Sequence, residues 1–167
     1  MVLQDILKSR EVRVERQREL LESNPGLSLL CLTVQLPGPV KRNNLSMAIA
    51  EAGVEAVRAS FKPIFEETRD LETGFEGFFL VSLSPEEAKR RACRVEDTHP
   101  LGRLMDIDVV VLCQDMPMPL GRESLGLPPR KCLLCDRPAR ECMRARSHNT
   151  DELLAKIEEM VKNHLNL

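Results

Sequence analysis

His99-Pro100-Leu101-Gly102-Arg103-Leu104-Met105-Asp106-Ile107-Asp108-Val109-Val110-Val111 decides how this chain reads. A Gly-Arg turn runs straight into an apolar strand that carries two carboxylates two residues apart. Along a strand, residues i and i+2 share a face, roughly 6–7 Å apart. Asp106 and Asp108 therefore face one way, and Ile107 and Val109 the other. Two acids side by side in an apolar strand repel each other and resist burial. A divalent cation relieves that repulsion, and many phosphoryl- and nucleotidyl-transfer sites hold Mg²⁺ in this way. Gly102 permits a tight turn, and Arg103 suits phosphate oxygens. The stretch predicts a metal-dependent transferase acting on a phosphorylated substrate. The plainer alternative is an Asp pair on the wet face of an edge strand that binds nothing.

The 167 residues predict one domain, 1–167, long enough for a real core. Hydrophobic residues make up 43%, yet there is no Trp, no Tyr and only 5 Phe, so aliphatic side chains and Met must do the packing. A net charge of −2 and a pI near 6.0 argue against nucleic acid as a partner. No basic segment leads into an apolar run at the N-terminus. The longest apolar stretches, 27–36 and 107–113, fall far short of a membrane span, so no membrane is expected. Six Cys without a secretion signal predict a reducing compartment, and the expected location is the cytoplasm.

Working outward, residues 11–23 read as a charged helix with Val12, Gln17, Leu20 and Leu21 facing inward. Residues 27–36 read as a buried strand, and Pro37-Gly38-Pro39 then presents Lys41 and Arg42. Asn43 or Asn44 caps a helix to Glu51, which Gly53 separates from a further helical stretch ending at Ser60. Residues 64–68 and 78–83 read as a strand pair around a 71–77 loop. Ser84-Pro85-Glu86-Glu87 starts a helix that ends near Arg94. Residues 114–130, rich in Pro and Gly, read as an irregular loop. From 150 to 165 an amphipathic helix puts Leu153, Leu154, Ile157, Met160, Val161 and Leu165 on one face. Helices and strands mix without a βαβ rhythm, which predicts an α+β fold with a mixed or antiparallel sheet and flanking helices.

Several clusters could carry chemistry. Arg10, Arg13, Arg16 and Arg18 stand along the first helix, as phosphate ligands or as a solvated face paired with Glu. Pro128-Pro129 holds Arg130 and Lys131 out with little freedom to lose. Cys132, Cys135, Cys142 and His148 form a C-x2-C-x6-C-x5-H pattern that could hold structural Zn²⁺; a reduced, packed thiol cluster is the rival. Cys31 and Cys113 are expected in the core, and His164 on the exposed side of the last helix. His99 could serve as a general base or as a structural hydrogen-bonding group.

Taken in order, these segments resemble a known family. They are Arg10-Glu11-x-Arg13-x-x-Arg16-Gln17, Pro37-Gly38-Pro39-x-Lys41, Gly53-Val54-x-Ala56, Glu96-x-x-His99-Pro100-Leu101-Gly102-Arg103-Leu104-x-Asp106-Ile107-Asp108-Val109, Leu127-Pro128-Pro129-Arg130-Lys131-Cys132-Leu133-Leu134-Cys135, Cys142-x-Arg144 and His148. The chain is similar over residues 8–162 to the holo-citrate lyase synthases, which are phosphoribosyl-dephospho-CoA transferases. The resemblance implies transfer of that prosthetic group from 2′-(5″-triphosphoribosyl)-3′-dephospho-CoA to a serine of the apo-citrate lyase acyl carrier (gamma) subunit, with diphosphate released. It implies nucleotidyltransferase-like chemistry, with Asp106 and Asp108 on Mg²⁺. Arg103, Arg130, Lys131, Arg16 and Lys41 would meet phosphate, Gly102 would allow close backbone approach, and His99 would accept a proton. The pattern departs from the better-known nucleotidyltransferase signature, in which a Gly-Ser turn precedes the acidic strand by a helix. A third acid is also usual there, and Glu96, Asp115 and Glu123 are the candidates here. The alternatives are the same transfer to the malonate decarboxylase carrier, or a non-catalytic zinc-binding assembly factor of the lyase. The Arg10–Arg18 helix is the expected docking face for an acidic carrier.

Overall fold

The computed structural model describes residues 3–167. The elements in order are α1 (Leu3–Ser23), β1 (Ser28–Val34), α2 (Asn44–Phe61), β2 (Phe65–Leu71), β3 (Gly74–Val81), α3 (Pro85–Thr98), β4 (Met105–Cys113), β5 (Met116–Pro119), α4 (Ala139–Ala145) and α5 (Thr150–Leu165). Short 3₁₀ turns lie at Gly102–Leu104 and Glu123–Leu125. The strands form one antiparallel sheet in the order β2-β3-β1-β4-β5. The fold is α+β, as the sequence predicts.

β1 is apolar on both alternations and takes the centre, where both of its faces are covered. On one face Leu30, Leu32, Phe79, Ile107 and Val109 pack against Val57 of α2, Ala92 of α3 and Ile157 and Val161 of α5. On the other, Leu29, Cys31, Phe78, Leu80 and Val110 meet Leu20 of α1. Only Gln17 and Leu20 of α1 are buried, and Val12, expected inside, is exposed. Ion pairs supplement this thin apolar seam. Arg13 reaches Glu76 at 3.5 Å, and Arg16 reaches Glu67 at 2.7 Å.

Several local readings change. α2 is one helix: the Asn43 side chain accepts from the Ser46 N–H, and Ser46 Oγ accepts from the Asn43 N–H. Gly53 does not break it; a Cβ there would press on the Leu32 side chain at 3.0 Å, so the glycine is a packing notch over the sheet. The expected 71–77 loop shrinks to two residues, because Leu71 already faces Gly74 and Phe75 and Glu76 belong to β3. β2 escapes an apolar pattern because it is an edge strand whose acids pair outward, Glu66 with Arg58 and Asp70 with Arg42. Residues 114–130 are not one loop. Gln114 and Asp115, both with positive φ, form a two-residue turn into β5. Pro117 and Pro119 are tolerated because β5 is an edge strand. α3 runs past Arg94 to Thr98, and its extra turn buries Val95 and Glu96. Cys113 is exposed at the hairpin, whereas Cys31 is buried. Leu165 is exposed on α5, beyond the buried pair Ile157 and Val161. No helix among the described residues is long and apolar enough to cross a membrane.

Beyond the reach of β5, the outer edge of β4 is held by a buried side chain. Glu96 accepts from the Ile107 N–H at 3.0 Å and from Arg122 at 3.0 Å, with Arg130 at 3.5 Å. Arg122 also grips Asp97 through both terminal nitrogens. Removing Glu96 leaves the Ile107 N–H without its acceptor and takes the buried one of two carboxylates from Arg122. Glu96→Ala should therefore lower stability by about 3–5 kcal/mol, read by urea denaturation. Glu96→Gln, which keeps an acceptor for Ile107, should lose less.

Candidate functional site

Strand register brings the acids together. Across β2, β3, β1 and β4 one row reads Arg69, Glu76, Thr33, Asp106, and the next reads Glu67, Phe78, Cys31, Asp108. Residues directly opposite in antiparallel strands share a face. Asp106, Asp108 and Glu76 therefore all lie on the face that α1 covers. Between α1, this row and the 35–41 segment is a cleft of about 290 Å³. Asp106, Glu76 and Thr33 line it, with Arg10, Arg13 and Lys41.

Each acid has its own environment. Asp106 accepts from Gln35 Nε2 at 2.9 Å and lies 3.6 Å from Arg130. Asp108 is more enclosed; burial, and then repulsion from Asp106, pushes its carboxyl up to about 6. Glu76 is 4% exposed, and one of its oxygens, Oε2, has no hydrogen-bond partner. Burial raises its pKa against the pull of Arg13 and Arg69. Glu76 was hidden in the sequence by the reading of 71–77 as a loop. Its signal is the inward alternation Glu76, Phe78, Leu80, which matches Asp106, Asp108, Val110. The three acids named from sequence lie elsewhere. Glu96 holds the β4 edge, Asp115 sits in the β4–β5 turn, and Glu123 is exposed.

The expected cations separate. Lys41 lines the cleft, donates to the Leu36 carbonyl at 2.6 Å, and has its pKa lowered by burial. Arg130 is a strut: Nη2 donates to the carbonyls of Gly102, Arg103 and Met105, while Nη1 faces Glu96 and Asp106. Arg103 is half-buried with no partner for Nε; burial and then Arg130 lower its pKa. Arg16 is held by Glu67 and Glu19 and lines no part of the cleft. Lys131 is exposed. Gly102 serves packing: a Cβ would sit 2.6 Å from the Val95 carbonyl oxygen and closer still to that of Glu96. His99 ends α3, where Nδ1 accepts from the Leu101 N–H and the ring lies 5.5 Å from His164 of α5. Burial, then His164, lowers its pKa. His164 is thus half-buried against His99 rather than exposed.

The ligand atoms of Cys132, Cys135, Cys142 and His148 lie within 4.8 Å of one another. The Leu134 N–H points at Cys132 Sγ, and Cys135 Sγ lies 3.4 Å from Cys142 Sγ. His148 Nε2 is buried with no hydrogen-bond partner. Three thiols and an imidazole are a donor set that suits tetrahedral zinc, and the unpartnered nitrogen is the atom a metal would take. With four protein ligands the site would be closed, hence structural.

Asp108 links this geometry to stability. Its folded pKa is raised, so between about pH 4 and pH 6 the unfolded chain has released a proton that the folded chain still holds. Stability falls as pH rises through that window and stays lower above it. Asp108→Asn should therefore raise stability at pH 7.5 by about 1–3 kcal/mol and leave it unchanged near pH 4, measured by thermal unfolding at both.

Residues 1–164 match the family model described as apo-citrate lyase phosphoribosyl-dephospho-CoA transferase. A Streptococcus pyogenes protein named "Probable apo-citrate lyase phosphoribosyl-dephospho-CoA transferase" is 35% identical over 98% of this chain and 87% of its own length. A Vibrio cholerae protein of the same name is 36% identical, covering 97% of this chain and 92% of its own length. With the match running through the acidic strand, the Arg130 strut and the cysteine cluster alike, the chain belongs to the apo-citrate lyase phosphoribosyl-dephospho-CoA transferase family.

Proposed function

We propose that this protein moves the phosphoribosyl-dephospho-CoA group of 2′-(5″-triphosphoribosyl)-3′-dephospho-CoA onto a serine of the apo-citrate lyase acyl carrier subunit. The serine oxygen bonds to the α-phosphorus, the bridging P–O bond breaks, and diphosphate leaves. This is nucleotidyl-transfer chemistry. The observation that carries the reading is the cleft beneath α1, where Asp106 and Glu76 on the floor face Lys41, Arg10 and Arg13. Cations there favour a polyphosphate, and carboxylates favour a metal bound to it. Asp106 and Asp108 are the residues that would hold Mg²⁺; their mutual repulsion and the raised Asp108 pKa suit a divalent partner. When bound, Mg²⁺ supplies charge neutralisation on the phosphates.

The chain's own groups take the remaining roles. Lys41 and Arg13 face the charge that shifts toward diphosphate. Arg130 and Gly102 keep the turn before β4 in place, and Arg103 projects from that turn. Glu76, rather than His99, is the group the cleft offers to the serine proton. Cys132, Cys135, Cys142 and His148 would hold a structural zinc, which would fix the segment carrying Arg130 and Lys131. Six cysteines with no disulfide among them suit a reducing cytoplasm.

The test is the intact mass of the apo carrier after incubation with donor, Mg²⁺ and this protein. A gain of one phosphoribosyl-dephospho-CoA, abolished by EDTA, is the expected result. Asp106→Asn and Asp108→Asn should fold and lose about 100-fold or more in rate; full activity in both would overturn the mechanism. Transfer to the malonate decarboxylase carrier alone would reassign the acceptor. Elemental analysis should find one zinc per chain, lost in Cys142→Ser along with a lowered melting temperature.

A further inference from the structure

The segment from Arg130 to Arg146 holds six cations, Arg130, Lys131, Arg137, Arg140, Arg144 and Arg146, against two acids, Asp136 and Glu141. The whole chain carries a net charge of −2, so this is a local reversal of sign. α4 lies within it. Positions three and four apart on a helix are neighbours, so Arg140, Met143 and Arg144 share one face. That face points to solvent: all three are exposed, and Met143 is 75% exposed. Cys142, on the opposite side, is the buried anchor of α4.

Four of these six cations are uncommitted; Arg130 is the strut already described. Among the described residues, Lys131, Arg140, Arg144 and Arg146 make no ion pair and no side-chain hydrogen bond, whereas Arg137 is engaged by Cys135. α1, the expected docking face, has most of its arginines engaged, with Arg10 lining the cleft. Arg13 is held by Glu76, Arg16 by Glu67 and Glu19, and Arg18 by Glu15. An exposed Met ringed by free arginines has the composition of a protein interface, where Met and Arg are enriched. An outward helix face does not converge donors as a polyphosphate site must.

Position supports the same assignment. The Ala139 N–H, at the start of α4, donates to the Arg130 carbonyl at 2.8 Å. The Arg130 side chain lies 3.6 Å from Asp106. α4 spans about 10 Å, so a partner seated on it lies within a short reach of the cleft. We propose that the Arg140–Met143–Arg144 face of α4 docks an acidic protein surface, the one on the carrier subunit that presents the acceptor serine. The proposal rests on the function proposed above.

The test measures two quantities on the full-length protein: affinity for the apo carrier without donor, by calorimetry, and steady-state transfer by intact mass. Arg140→Glu/Arg144→Glu should weaken carrier binding and raise the carrier KM by about tenfold or more at low salt. kcat and the donor KM should stay within twofold. Arg140→Lys/Arg144→Lys, which keeps the charge, should bind within about threefold of wild type. Added salt should weaken wild-type binding and leave the reversed variant little changed. Unchanged carrier affinity in the reversed variant, with its fold and metal content intact, overturns the proposal. A raised donor KM instead would reassign the patch to the polyphosphate. Carrier binding by the wild type without transfer would retain the docking face and overturn the reaction; transfer with no loss on charge reversal would do the opposite.

Discussion

A single buried carboxylate organises the cleft side of this molecule. Glu96, at the end of α3, replaces a missing strand along the outer edge of β4 by accepting the Ile107 N–H. Its other oxygen holds Arg122, which reaches back to Asp97. A charge this deep is tolerated only when its lone pairs are used, and here two guanidinium groups and a backbone donor use them. Arg130 is the second of those guanidiniums, and it carries the constraint outward. Through it the 3₁₀ turn, the first residues of β4 and the cysteine-rich segment become one assembly with Asp106 at its tip. Gly102 belongs to the same arrangement, since only a residue without Cβ lets the turn approach the last carbonyls of α3.

The opposite wall of the cleft is built differently. Asp106, Asp108 and Glu76 crowd one sheet face at the end where α1 contributes Arg10 and Arg13 alongside Ile6 and Ser9. The thin seam at Leu20 and Gln17 secures the other end. The apolar-to-polar gradient along one sheet face thus divides the work. One half of the face is core, and the other is a polar chamber that keeps its acids from being fully neutralised by the fold.

Much of this was legible in the sequence, for identifiable reasons. The Gly-Arg turn and the Asp106–Asp108 spacing stand out because acids in an apolar strand are rare enough to register. Ser84-Pro85 and Asn43 announce their helices through capping chemistry that is local to a few residues. What escaped depends on neighbours distant in sequence. Gly53 reads as a break until Leu32 is seen beneath it. Pro117 and Pro119 argue against a strand until its edge position is known. Glu76 carries no signal in the sequence beyond its alternation with Phe78 and Leu80, because its role comes from facing Thr33 and, one strand further, Asp106. His99 lies near the acids in sequence but turns toward α5, and no pattern in the chain reports that pairing.

The slender attachment of α1 has a kinetic meaning. Lifting this helix from the sheet exposes little apolar area, and the ion pairs it breaks regain hydration as they part. Such an excursion belongs to the low free-energy openings of a folded chain, well below global unfolding. The roof of the cleft is therefore held more by ion pairs than by apolar burial. Displacing this one helix would widen the cleft while the strut behind Asp106 keeps its shape.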